Sequence, residues 1–162
     1  MTGIAGRGGR DECRRIAEDA LNSGAALEKL CAMVRAQGGD DAVIRDPALF
    51  PQAPVVHQVL APRDGYIVAM DAESIGETSV MLGAGREELD DEVDPAAGIL
   101  LKKKYGEQVK KGEPIAALFT SKESSIAGAE TRFLEAVSVG AEPPPQRKLV
   151  YARVEKDQVV RF

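Results

Sequence analysis

A chain of 162 residues can bury one good core or two small ones, and no third body fits. Its formal charge of −5 and 4% aromatic content are the reverse of a nucleic-acid surface, which needs a basic face and stacking rings. The glycine-rich start, residues 1–10, has no apolar h-region, and no later run approaches the roughly 20 apolar residues of a membrane span, so a soluble, cytoplasmic chain without a membrane partner is expected.

Along the chain, Ile16, Ala17, Ala20 and Leu21 recur at helical spacing and stop at Asn22-Ser23-Gly24. A second helix carries Leu27, Leu30, Cys31 and Val34 on one face and ends at Gly38-Gly39, so residues 11 to 37 read as a helical hairpin. Cys13 and Cys31 fall within these patterns and read as buried or idle thiols rather than a disulfide framework. Asp46-Pro47, Phe50-Pro51 and Pro54 then interrupt the helical pattern, and a domain boundary is expected there.

Beyond the boundary the period changes. Val55 to Leu60 and Tyr66 to Met70 are rich in β-formers and are separated by the turn Pro62-Arg63-Asp64-Gly65. Asp71 is placed to cap a short helix carrying Ile75, Ser79 and Leu82, which Gly83 and Gly85 stop. Gly98 to Lys104 and Ile115 to Ser121 read as strands, with Gly106, Gly112 and Pro114 shaping the connection. A helix from about Lys122 to Val137 follows, Pro143-Pro144-Pro145 ends it, and Leu149 to Val154 with Val159 to Phe162 alternate like a hairpin.

A weak repeat joins two of these strands, Pro62-x-x-Gly65 before Tyr66-Ile67 and Pro95-x-x-Gly98 before Ile99-Leu100. Each glycine would let a strand bend or another backbone approach, as in two long bent strands crossing each other. The second copy continues as Gly106-x-x-Val109-x-x-Gly112-x-x-Ile115-x-x-Leu118, which resembles half of a biotinyl or lipoyl carrier domain, with Lys122 at the offset of its modified lysine. A carrier lysine needs a strand returning at once, whereas Glu123 to Val137 reads as a helix, so a solvated lysine at a helix start is the competing assignment.

The stretch VMLGAGREELDDEVDPAAGILLKKKYGEQVKKGEPIAALFTS, with APRDGYIVAMDAESIGE before it and ALNSGAALEKLCAMVRAQGGD further upstream, resembles the C-terminal part of the pyrimidine-nucleoside and thymidine phosphorylases. The resemblance runs from about Gly9 to Val137. It implies an α/β-hammerhead domain related to biotinyl carriers, preceded by a helical segment from the family's larger α/β domain. It also implies phosphorolysis of thymidine, deoxyuridine or uridine to free base and pentose 1-phosphate. The family's phosphate-binding and pyrimidine-binding motifs have no counterpart in this chain, so no catalytic residue is carried over and the chain alone is expected to be inactive.

The residues themselves agree. A single histidine, His57, lies in strand-like sequence and reads as structural, and no metal-ligand cluster or cofactor loop stands out. Gly83-Ala84-Gly85-Arg86 begins like a phosphate nest, but Glu87, Glu88, Asp90, Asp91, Glu92 and Asp94 follow, and their field would repel a dianion. Arg86 is free to pair with those carboxylates or with a neighbouring domain, while Lys102, Lys103, Lys104, Lys110 and Lys111 either compensate the acidic loop or form a solvated face. The expectation is an α+β chain: residues 1–10 as a flexible start, 11–52 helical, 53–140 the hammerhead, and 141–162 a Pro-rich linker with a hairpin. Gly65, Gly83, Gly85, Arg86, Gly98, Gly106 and Gly112 are its structural-turn or inter-domain candidates, with no catalytic, cofactor or metal residue. Its expected partners are the catalytic domains of a parent phosphorylase, and self-association through residues 11–37 when those are absent. A lysine carrier and a free-standing interaction module are the alternatives.

Overall fold

A computed structural model describes residues 5–86 and 88–162, so residues 1–4 of the expected flexible start and Glu87 of the acidic loop lie outside the described residues. The chain divides into two compact units, one ending at Pro51 and the other beginning at Gln52.

The first unit is helical. α1 (Arg10–Asn22) and α2 (Ala25–Ala36) form the hairpin, followed by the single turn α3 (Ala42–Arg45) and a 3-10 turn at Pro47–Leu49. Asp11 and Glu12 in the first turn of α1 suit the positive end of the helix dipole. α3 is tied back to α2 by Arg45, which donates two hydrogen bonds to the Glu28 carboxylate at 2.8 and 2.9 Å. That guanidinium holds the Glu28 carboxyl below the usual carboxylate range. Both groups are exposed, so the fork orients α3 more than it stabilises it. Among the described residues of this unit only Cys13 and Cys31 are buried, while Ile16, Leu21, Leu27, Leu30, Met33, Leu49 and Phe50 are exposed.

The second unit is mixed. β1 (Val55–Leu60), β2 (Gly65–Met70) and α4 (Ala72–Ser79) come first, with α4 running on through a wider turn at Val80–Ala84. Then come β3 (Gly98–Leu101), β4 (Gln108–Val109), β5 (Pro114–Thr120), a 3-10 turn at Glu123–Ser125, α5 (Ile126–Ala136) and β6 (Val137–Gly140). β7 (Ala152–Val154) and β8 (Val159–Arg161) close the chain as a separate hairpin. One antiparallel sheet has the order β1-β5-β3 and a second has β4-β2-β6. The core is built by Val59, Ile67, Leu82, Val109, Ile115, Leu118 and Val139 together with Ala129 and Phe133 of α5. β5 is central and buried along most of its length, which explains its unbroken apolar run Ile-Ala-Ala-Leu-Phe. Among the described residues no helix is long and apolar enough to cross a membrane.

Three expectations need correction. The strand opening at Gly98 ends at Leu101 rather than Lys104, and the connection to β5 contains β4, which leaves that sheet to pair with β2. The helix after Lys122 begins as a 3-10 turn and gives way at Val137 to β6, paired with β2, because the β-branched Val137 and Val139 fit the pleat better than a further helical turn. The two repeat copies also differ. A side chain at Gly65, whose φ is +149°, would collide with the Gly140 carbonyl oxygen, whereas one at Gly98 would meet nothing within 4 Å. Only the first glycine admits a close backbone; β2 and β3 are six and four residues long and lie in different sheets, and the strand irregularities sit at bulges after Val59 and Ile67.

Candidate functional site

One concavity of the second unit is a hollow of about 410 Å³ lined by Leu82, Gly83, Asp91, Glu92, Asp94 and Lys122, among others. Its frame starts at the end of α4, where Gly83 takes φ +104°, a left-handed conformation that a β-branched residue reaches only with strain. That reversal aims two carbonyls at incoming donors. The buried Thr120 hydroxyl donates to the Leu82 oxygen at 2.7 Å, and the Asp94 amide donates to the Gly83 oxygen at 2.9 Å.

Asp94 is the knot. One carboxylate oxygen accepts the Ala96 amide at 2.9 Å and the other accepts the Ser121 amide at 3.1 Å. The Ser121 side chain first, and these main-chain amides after it, hold the Asp94 carboxyl below its usual range. The Lys122 amide donates back to the Thr120 hydroxyl at 2.9 Å, which completes the tie between the end of β5 and the acidic loop. Three carboxylates face a single ammonium here, so the hollow is a poor host for phosphate. Among the described residues no three His, Cys, Asp or Glu side chains are grouped to hold a metal ion.

The candidate residues separate into two groups. Gly83 belongs to this frame and Gly85 follows it, but of the two glycines expected to stop the helix only Gly83 is left-handed: Gly85 is extended at φ −147°, and what constrains it is Val80, whose methyl would lie 2.7 Å from an added Cβ. Arg86 is exposed. Gly65, Gly106 and Gly112 gather instead around the start of β2: Gly65 pairs with Val109, the Gly106 amide donates to the Ile67 oxygen, and the Gly112 amide to the Ala61 oxygen. Gly98 opens β3 and belongs to neither group.

Lys122 is followed by a 3-10 turn and α5 rather than a returning strand, so it does not stand at the tip of a carrier hairpin. Lys103 pairs with Glu113 at 2.8 Å, and Lys102, Lys104, Lys110 and Lys111 are exposed. His57 Nε2 on β1 lies 3.0 Å from Glu130 Oε2 on α5, but out of line for a hydrogen bond.

Sequence reasoning missed the roles of Thr120 and Asp94. The available signals were a hydroxyl residue at the end of an apolar strand, and Asp-Pro-Ala, a sequence suited to a carboxylate-capped turn.

Comparison with known proteins follows the same part of the chain. The family model described as the pyrimidine nucleoside phosphorylase C-terminal domain matches residues 66–140. A pyrimidine-nucleoside phosphorylase of Geobacillus stearothermophilus is 33% identical over 144 residues, which is 89% of this chain and 33% of that protein. One from Bacillus subtilis is 40% identical over 114 residues, 70% of this chain and 26% of the relative. A Staphylococcus aureus protein of the same name is 40% identical over 113 residues, with 70% and 26% coverage. The matched segment thus spans between a quarter and a third of these relatives.

Proposed function

We propose that this chain acts as the structural C-terminal portion of a pyrimidine-nucleoside phosphorylase, on the premise that residues 66–140 match the model of that family's C-terminal domain. In this reading the second unit is the α/β-hammerhead. It buttresses the catalytic α/β domain and helps to shape the cleft in which a nucleoside such as thymidine, deoxyuridine or uridine is split by phosphate into base and pentose 1-phosphate. The chemistry belongs to groups outside residues 1–162, and the working location is cytoplasmic.

The observation that supports this most is the match of residues 66–140, the stretch from β2 to β6, to that family's C-terminal domain. Phe133, Ile67 and Leu118 within that stretch are fully buried and close its core. The exposed row of Leu27, Leu30 and Met33 on α2 is then the face that the larger domain covers, and two copies associate through residues 11–37 when that domain is absent.

The experiment is a chimera of the Geobacillus relative in which the aligned third is replaced by this chain. It is expected to release free uracil or thymine from nucleoside in the presence of phosphate, while the chain alone releases none. A folded but inactive chimera, or base release by the purified chain that survives repurification, would overturn the reading.

A further inference from the structure

After Gly140 the chain leaves the second sheet. Gly140 pairs with Tyr66 at the end of β6, and Pro143-Pro144-Pro145 follow, three residues without a backbone N–H to continue the ladder. Beyond them β7 and β8 form a two-stranded sheet of their own. Its hydrogen bonds close on itself: the Phe162 amide donates to the Tyr151 oxygen at 3.0 Å, the Glu155 amide to the Gln158 oxygen at 2.8 Å, and the Lys148 ammonium to the Phe162 oxygen. Tyr151, Val154, Val159 and Phe162 are exposed, and a two-stranded hairpin with so little buried is marginal by itself in water.

Tyr105 ties this arm to the rest of the unit. Its hydroxyl donates to the Pro145 carbonyl oxygen at 3.1 Å, and the Arg147 guanidinium lies 3.9 Å from the centre of its ring. Beside these contacts the segment bridges a hollow of about 390 Å³ rather than filling it, and Pro145, Gln146, Arg147 and Lys148 are exposed. Lifting the segment therefore returns little apolar surface to water.

Tyr105 and Gly140 stand on opposite sides of β2. The residues after Tyr105 follow one edge of that strand, the Gly106 amide donating to the Ile67 oxygen at 2.8 Å and Gln108 standing opposite Tyr66, while β6 follows the other edge. From Gly140 to Tyr105 the chain must cross two strand spacings, about 10 Å. The five residues from there to Pro145, stiffened by prolines at about 3.1 Å each, span about 15 Å and reach the far edge.

We propose that residues 141–147 are a belt across the β4-β2-β6 sheet, buckled at Tyr105, and that the buckle opens while the core stays folded, releasing the β7–β8 arm. Opening breaks one hydrogen bond and one contact between a cation and a ring, and it leaves Ile67, Val109 and Val139 enclosed. β4 is only two residues long, so the closed belt also holds that short edge strand against β2. The proposal stands apart from the phosphorylase reading and from the helical row at residues 11–37.

The test is limited digestion of the full chain by an arginine-specific protease, with the C-terminal fragment followed by mass. Cleavage after Arg147 requires its guanidinium to leave the Tyr105 ring, so the rate tracks the open fraction. Tyr105→Phe, which keeps the ring and loses the hydroxyl, should raise that rate about threefold. Tyr105→Ala should raise it about tenfold or more, with cooperative thermal melting unchanged in both variants. By hydrogen exchange, Arg147→Gln should speed the Gly106 amide about twofold or more and leave the amides of β5 as they were. Equal cleavage after Arg147 in wild type and Tyr105→Ala overturns the proposal. So does faster cleavage matched by an equal loss of melting stability, which would make the opening global, or a Gly106 amide indifferent to Arg147→Gln.

Discussion

In residues 5–51 two cysteines are buried and seven large apolar side chains are exposed, whereas from Gln52 onward Val59, Ile67, Leu82, Ile115, Leu118 and Phe133 are almost wholly enclosed. The two regions carry apolar residues in equally regular patterns. What separates them is the number of faces available within one compact unit. Two sheets and two helices can turn their apolar sides toward a common centre; a helical hairpin with a single-turn third helix covers only the strip where its arms meet. An amphipathic stripe therefore reports that a face must be covered, and topology alone reports by what.

Dividing the chain should produce the largest effect. A chain beginning at Gln52 is expected to unfold cooperatively in urea, while residues 1–51 alone should show little helix by circular dichroism, since isolated helices below about 12–15 residues are marginal in water. A stably helical, monomeric first half would break the contrast.

The next effect contrasts one side chain from each region. Phe133→Ala empties the centre of the core and should cost about 3–5 kcal/mol in a denaturant titration. Leu30→Ala, on the exposed row, should change the same measurement by no more than about 0.5 kcal/mol in chain dilute enough to be monomeric. A large loss at Leu30 would mean that the helical row is already covered in the isolated chain.

Within the sheet-bearing unit, Gly83→Val should cost about 1–3 kcal/mol through backbone strain at its positive φ. Gly85→Ala should instead act through crowding against Val80 and be the milder of the two by thermal melting.

The smallest effect is one of pH. The Asp94 carboxyl is held below its usual value by Ser121 and the nearby amides, so it binds its proton less readily in the folded chain than in the unfolded one. Its contribution to stability is whole above the ordinary carboxylate value of about 4 and is lost as the pH falls through the lowered one. Asp94→Asn should flatten that acid limb of the stability curve, and an unchanged limb would show that other carboxylates produce it.

Much of this was visible along the chain. Helical spacing marked α1 and α2, Asp71 marked the start of α4, and the apolar run around Leu118 marked β5. β6 was hidden because Ala136 passes into Val137 with no glycine or proline between them, and because four residues are too few to show alternation. β4 was hidden for a similar reason, being two residues within a loop. In the site, Gly83 was legible as a reversal and Asp94-Pro95-Ala96 as a turn, while the tie from Asp94 to Ser121 was not, because that partner lies 27 positions away.

Local order by itself determined where most helices and strands begin and which faces are apolar, because propensity, capping and periodicity act over a few residues. Which strand lies beside which, that Gly65 rather than Gly98 meets another backbone, and that Asp64 accepts the Lys111 amide 47 positions away were settled by long-range packing. Such choices depend on groups brought together only after the chain has closed on itself, and a repeat read in one dimension cannot distinguish two glycines whose neighbours come from different sheets.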